Sequence, residues 1–150
     1  MPFTIVIDTR EQRPYSFPCA TVRLKLDAGD YAVLGREHQT VVERKSLADF
    51  VSTVIHGRER FLVELGALTR RTRACVVVEA DLDAVLRGLR ERDLRDVKPA
   101  ALLGWATWIE AKYSVPVHFC GSRQAARAFT EAFLRMAVLT DALVEVPHNA

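Results

Sequence analysis

Gly29-Asp30, Glu43-Arg44-Lys45 and Asp49 are the residues of this chain whose types and spacing could do chemistry. On a strand, side chains alternate between faces, so Glu43 and Lys45 share one face about 6.7 Å apart and Arg44 points to the other. Tyr31–Leu34 and Thr40–Lys45 are predicted as a hairpin joined around Gly35. Asp30 then opens the first strand, and Glu43 and Lys45 close the second. Antiparallel pairing brings those two ends together, and Asp8, at the end of an earlier strand, could join them. Two carboxylates about 4 Å apart repel by roughly 4 kcal/mol at an effective dielectric of about 20. A divalent cation between them offsets that cost, and Mg²⁺ takes oxygen ligands of this kind. A lysine alongside orients or deprotonates water and offsets transition-state charge. The chemistry these residue types suit is phosphodiester hydrolysis.

The elements that must position them follow from hydrophobic periodicity and turn residues. Phe3–Asp8 reads as a strand, Thr9–Ala20, with Pro14 and Pro18, as a loop, and Val22–Leu26 as a half-buried strand. Asp27-Ala28-Gly29-Asp30 is a turn. Ser46 begins a helix with Asp49 three residues on, as in a capping box, and Gly57 ends it. Phe61–Thr69 is a second helix with Phe61, Leu62, Leu65 and Leu68 inward. Ala74–Glu79 is a continuous apolar strand, central and buried on both faces. Helices are expected over Asp81–Leu89, from Pro99 to Tyr113, and from a Ser122 cap to near Leu139, with a strand at Val115–Phe119. Strands come first as a meander and then alternate with helices, so the fold class is α/β, a mixed sheet flanked by helices in a single domain.

With 150 residues, 49% of them hydrophobic and 27% charged, the chain can build a core and is not generally disordered. No apolar run approaches the roughly 20 residues that span a bilayer, so no membrane role is expected. Met1-Pro2-Phe3-Thr4 lacks a basic leader region. Cys19, Cys75 and Cys120 are unclustered. A reduced, intracellular setting is expected, cytoplasmic and nucleoid-associated if bacterial. Net charge is only +2, and Lys25, Lys45, Lys98 and Lys112 are the lysines among 21 Lys and Arg residues. Arginine forks match phosphate oxygens, but an Arg- and Ala-rich chain also follows from GC-rich coding, so charge alone names no partner.

Gly-Asp, a variable gap, Glu-Arg-Lys, three residues and Asp resembles the signature of the XPF/Mus structure-specific endonuclease family, within the PD-(D/E)XK restriction-endonuclease-like superfamily. Asp8-Thr-Arg-Glu11, His56-Gly57-Arg58 and Val76-Val77-Val78-Glu79 extend the similarity from about Phe3 to Glu79; it is looser over Pro99–Leu139. The resemblance implies Asp30 and Glu43 as principal metal ligands with Asp8 a further acid, the Arg44 carbonyl helping, and Lys45 as the catalytic lysine. The Arg44 side chain would support the site or the phosphate. It implies Mg²⁺ or Mn²⁺ as cofactor, branched, flap or junction DNA as substrate in repair or recombination, and Arg58 and Arg10 as DNA contacts. Products would carry 5′-phosphate and 3′-hydroxyl ends. A nuclease domain over residues 1–140 and a tail over 141–150 are expected, without the helix-hairpin-helix module of well-known members. A homodimer or a targeting partner would then supply what that module does.

Several residues admit plainer roles. Asp49 serves the site or simply caps the helix. Glu11 and Arg13 belong to the site or to loop surface, and Glu79 faces the site or pairs with an arginine. Arg70, Arg71 and Arg73, and the run Arg90–Lys98, read as solvated surface rather than DNA contacts. Trp105 and Trp108 read as core or interface, His56 as a non-ligand, and Cys75 and Cys120 as small core residues. The rival function is a catalytically silent DNA-binding or scaffold subunit of a nuclease complex.

Overall fold

The computed structural model describes residues 3–92 and 98–144, the last five of them by backbone alone. Along the chain run β1 (Thr4–Ile7), β2 (Ala20–Arg23), β3 (Tyr31–Val33), β4 (Thr40–Lys45), α1 (Leu47–Ile55), α2 (Arg58–Leu68), β5 (Arg73–Val78), α3 (Leu82–Glu91), α4 (Pro99–Tyr113), β6 (Val117–Phe119) and α5 (Arg123–Val144). The strands form one six-stranded sheet in the order β2-β1-β3-β4-β5-β6. β1 pairs antiparallel with β3, and β3 with β4; β2, β5 and β6 join parallel to their neighbours. The mixed sheet flanked by helices is therefore the α/β class expected.

Alternation along the central strands sorts the core into two layers. Val41, Val76 and Val78 face α1–α4, where Phe50, Phe61, Leu65, Leu89 and Ile109 are buried. Val42, Cys75 and Val77 face α5, with Ala126 and Leu134. Each fully buried large apolar side chain contributes roughly 1.5–3 kcal/mol. Because β5 is covered on both faces, it reads as a continuous apolar run. Ser46 caps α1: its hydroxyl oxygen accepts from the Asp49 amide at 3.1 Å.

The second strand departs from expectation. It spans Ala20–Arg23 rather than Val22–Leu26, and it lies parallel to β1 instead of continuing a meander. The reason is a contact across 18 positions of chain: the Leu26 amide donates to the Asp8 carboxylate at 2.9 Å, which draws the chain inward and buries Leu26 while Leu24 stays exposed. α2 starts at Arg58, three residues before expectation, and α5 continues to Val144, past Leu139. Of the charged run before Pro99, residues 93–97 lie outside the described residues, as do 145–150 of the expected tail. Among the described residues no helix is long and apolar enough to cross a membrane.

Candidate active site

The β3–β4 register, Tyr31 opposite Val42, sets Asp30 against Glu43. Two main-chain hydrogen bonds and one from main chain to side chain fix that end of the hairpin. The Asp30 amide donates to the Val42 carbonyl at 2.8 Å, the Asp8 amide donates to the Asp30 carbonyl at 2.9 Å, and the Arg44 amide donates to Asp30 Oδ2 at 2.8 Å. Gly29 just before it has φ +76°, and a Cβ there would lie 3.1 Å from Val41 Cβ and 3.2 Å from the Val42 carbonyl oxygen. Glycine at position 29 thus suits both the left-handed backbone and the close approach of this turn to β4.

The Asp30 and Glu43 carboxyls lie side by side. Burial pushes Asp30 up to about 6, partly opposed by the Arg44 amide and reinforced by the charge of Glu11. Burial, and then the charge of Asp30, push Glu43 well above the ordinary carboxylate range. The two carboxyls therefore resist ionising together, each raising the other's cost of carrying charge beside it. Asp8 stands apart in chemistry though adjacent in space. Its Oδ1 accepts from the Leu26 amide, and its Oδ2 accepts from Arg10 Nε at 2.8 Å. Burial alone would raise Asp8, but Arg10 and the Leu26 amide outweigh it and hold the carboxyl below its usual value. Among the described residues no group of three His, Cys, Asp or Glu side chains is arranged to hold a metal ion. The structure therefore brings Asp30 and Glu43 together as oxygen donors, with the Asp8 oxygens engaged by Arg10 and Leu26.

Lys45 shares the strand face of Glu43, as alternation requires. Its Nζ pairs with Glu64 Oε2 at 3.4 Å and lies 5.1 Å from the centre of the Phe61 ring. Two cavities open here. One, of about 380 Å³, is lined by Asp8, Glu11, Asp30 and Glu43; the other, of about 460 Å³, by Lys45, Asp49 and His56. Glu64 and Arg60 of α2 line both. Sequence reasoning missed Glu64. The signal was present, since Glu64 falls three residues after Phe61 on the stripe that continues to Leu65 and Leu68, where a charge needs a partner.

Arg44 occupies the opposite sheet face. It grips Glu79 through Nε and Nη2, both at 3.0 Å, and reaches Glu11 with Nη1 at 3.1 Å. The Tyr15 hydroxyl donates to Glu79 at 2.6 Å, and Arg123 Nη1 lies 3.3 Å from the same oxygen. Burial alone would raise Glu79, but Arg44 and Tyr15 hold it below the ordinary range. Glu79 therefore pairs with arginines behind the sheet rather than joining Asp30 and Glu43. Glu11 lines the acidic cavity while bonded to Arg44. Asp49 is exposed in the Lys45 cavity, separate from the acidic pair. Arg10 lines the acidic cavity. Arg58 turns its Nε onto the Val54 carbonyl at 2.8 Å and lies 5.7 Å from the Trp105 ring centre. Trp105 packs on Phe50 and Phe61, while Trp108 is 43% exposed and meets Tyr113 edge-on.

The family model of the ERCC4 domain matches residues 7–133, which takes in every residue of this constellation. The chain belongs to the ERCC4 domain family. This ERCC4 domain has the XPF nuclease fold. It superposes on XPF from Aeropyrum pernix in complex with DNA with a TM-score of 0.70 at 18% identity, covering 92% of this chain and 66% of that one. A second structure of XPF from Aeropyrum pernix gives a TM-score of 0.68 at 18% identity, over 93% of this chain and 68% of that one. The chain thus spans about two thirds of the length of these structures. No curated protein matches it.

Proposed function

We propose that this ERCC4 domain is a metal-dependent DNA endonuclease acting on branched, flap or junction DNA. The observation that carries the reading is the Asp30–Glu43 pair, set opposite one another by the β3–β4 register and lining one cavity, on the same sheet face as Lys45. Membership of a structure-specific nuclease family supports it. Asp30 and Glu43 would hold a divalent cation such as Mg²⁺ or Mn²⁺, which when bound polarises a phosphoryl oxygen and offsets the two carboxylates. Two carboxylates with water and phosphate suffice for Mg²⁺, so the donor set fits.

The chain's own residues do the rest. Asp30 and Glu43 act as ligands in their ionised form, which a bound cation favours. The Arg44 amide holds Asp30 Oδ2 and so fixes the orientation of that carboxyl. Lys45, held by Glu64, presents a cation that orients the attacking water and offsets charge on the transition state. The water oxygen bonds to phosphorus in line as the bond to the 3′ oxygen breaks, leaving 5′-phosphate and 3′-hydroxyl ends.

The test is cleavage of flap DNA, duplex DNA and single-stranded RNA by purified protein with Mg²⁺ or Mn²⁺. Wild type should cut flap DNA, and Asp30→Ala and Lys45→Ala should abolish cutting with little change in the thermal melt. Activity that survives Asp30→Ala would sink the assignment. DNA binding without cleavage, and without calorimetric Mn²⁺ binding, would make this a silent DNA-binding subunit instead.

A further inference from the structure

Arg60 projects from α2 at the edge shared by the acidic cavity and the Lys45 cavity. Those cavities have just Arg60 and Glu64 in common among the described lining residues. A phosphodiester that reaches both the Asp30–Glu43 pair and Lys45 must pass that edge. The acidic cavity is hostile to it: Asp8, Glu11, Asp27, Asp30, Glu43 and Glu64 line it, against the guanidinium groups of Arg10 and Arg60. Arg10 is committed, donating to Asp8 at 2.8 Å and to the Leu26 carbonyl at 2.9 Å. The Arg60 side chain is 89% exposed, and its ion pair with Glu64 is long, at 3.8 Å, beyond ordinary hydrogen-bond distance. Arg58, two residues earlier and so about 200° around the helix, is folded back on Val54 and Trp105. Arg60 is therefore the guanidinium of this edge whose fork is available to an anion.

We propose that Arg60 binds the non-bridging oxygens of a substrate-strand phosphodiester at the junction of the two cavities. This rests on the nuclease reading and adds a phosphate-contact residue to it. A guanidinium fork suits two phosphate oxygens at once. Glu64, already shared with Lys45 at 3.4 Å, restrains Arg60 only loosely, at 3.8 Å.

The experiment compares wild type, Arg60→Ala and Arg60→Lys. Flap-DNA binding is measured in Ca²⁺ over about 50–200 mM salt, and cleavage in Mn²⁺. Loss of one phosphate contact should reduce the slope of log K against log salt by about 0.9 in Arg60→Ala. Its kcat/KM should fall at least about tenfold, and Arg60→Lys, which keeps charge but not the fork, should recover part of the loss. The melting temperature should not move, because the side chain is exposed. An Arg60→Ala variant that binds with the wild-type slope and cleaves at the wild-type rate overturns the contact alone. Wild-type protein that neither binds nor cleaves DNA overturns the contact and the nuclease reading together.

Discussion

Arg44 of β4 and Glu79, the residue just after the neighbouring strand β5, form a two-pronged ion pair, both bonds 3.0 Å long, on the sheet face opposite Glu43 and Lys45. The pair is closed to solvent, with side-chain exposures of 10% and 7%. Burial would lower the Arg44 guanidinium, but Glu79 and Glu11 outweigh it and raise it above its usual value. Arg44 thus works from behind the site. Its side chain ties Glu11 and β5 to β4, and its amide holds Asp30.

Arg44→Ala is therefore expected to destabilise the fold by about 3–5 kcal/mol, because it strands Glu79 without its principal cation. Glu79→Ala should cost a similar amount. The double variant should cost clearly less than the sum, since both single changes break the same pair. A double-mutant cycle from urea unfolding measures this coupling, and strict additivity would contradict it.

Gly29→Ala is expected to lower stability by about 1–2 kcal/mol, the penalty for a side chain in the left-handed region. The new Cβ also meets Val41 and the Val42 carbonyl, so the strain falls on the residue before Asp30. Cleavage should drop by more than the fraction of folded protein lost. Paired unfolding and single-turnover measurements separate the two effects.

The Asp30–Glu43 pair should leave a signature in pH. Asp30 is raised from 3.8 to about 6, and Glu43 is raised as well. A raised carboxyl stabilises the fold most below its unfolded pKa, and that contribution is lost as pH climbs through the folded value. Stability should therefore fall as pH rises from about 4 to 6, a window set by the Asp30 shift. Asp8 and Glu79, both lowered, act in the opposite sense and at lower pH. Asp30→Asn should flatten the slope. Above the window Mn²⁺ should raise the melting temperature of wild type but not of Asp30→Asn, and its removal by chelator should reverse the gain. Thermal melts across pH, with and without Mn²⁺, test both points.

Ser46→Ala should cost about 1 kcal/mol through loss of the α1 cap. Asp49→Ala should stay within about 0.5 kcal/mol of wild type, because the cap uses the Asp49 amide and its carboxylate is exposed. Denaturant midpoints for the two variants decide whether Asp49 is needed for folding. Cleavage by Asp49→Ala then reports its part in the Lys45 cavity.

The sequence by itself determined the meeting of Asp30 with Glu43, the shared face of Glu43 and Lys45, the opposite facing of Arg44, and the Ser46 cap. Each follows from a period of two along a strand, the closure of a short hairpin, or a bond over three residues, and none needs a distant part of the chain. Tertiary structure decided who answers those groups. Glu64 reaches Lys45 only because α2 packs its Phe61 stripe onto the sheet, and Glu79 reaches Arg44 only because β5 returns parallel to β4 after two helices. Asp8 sits near the pair by strand position, yet its oxygens are taken by Arg10 and Leu26 where the chain turns inward after β2. Partners across a sheet or from a packed helix are fixed by burial over long sequence separations, and local spacing carries no record of them.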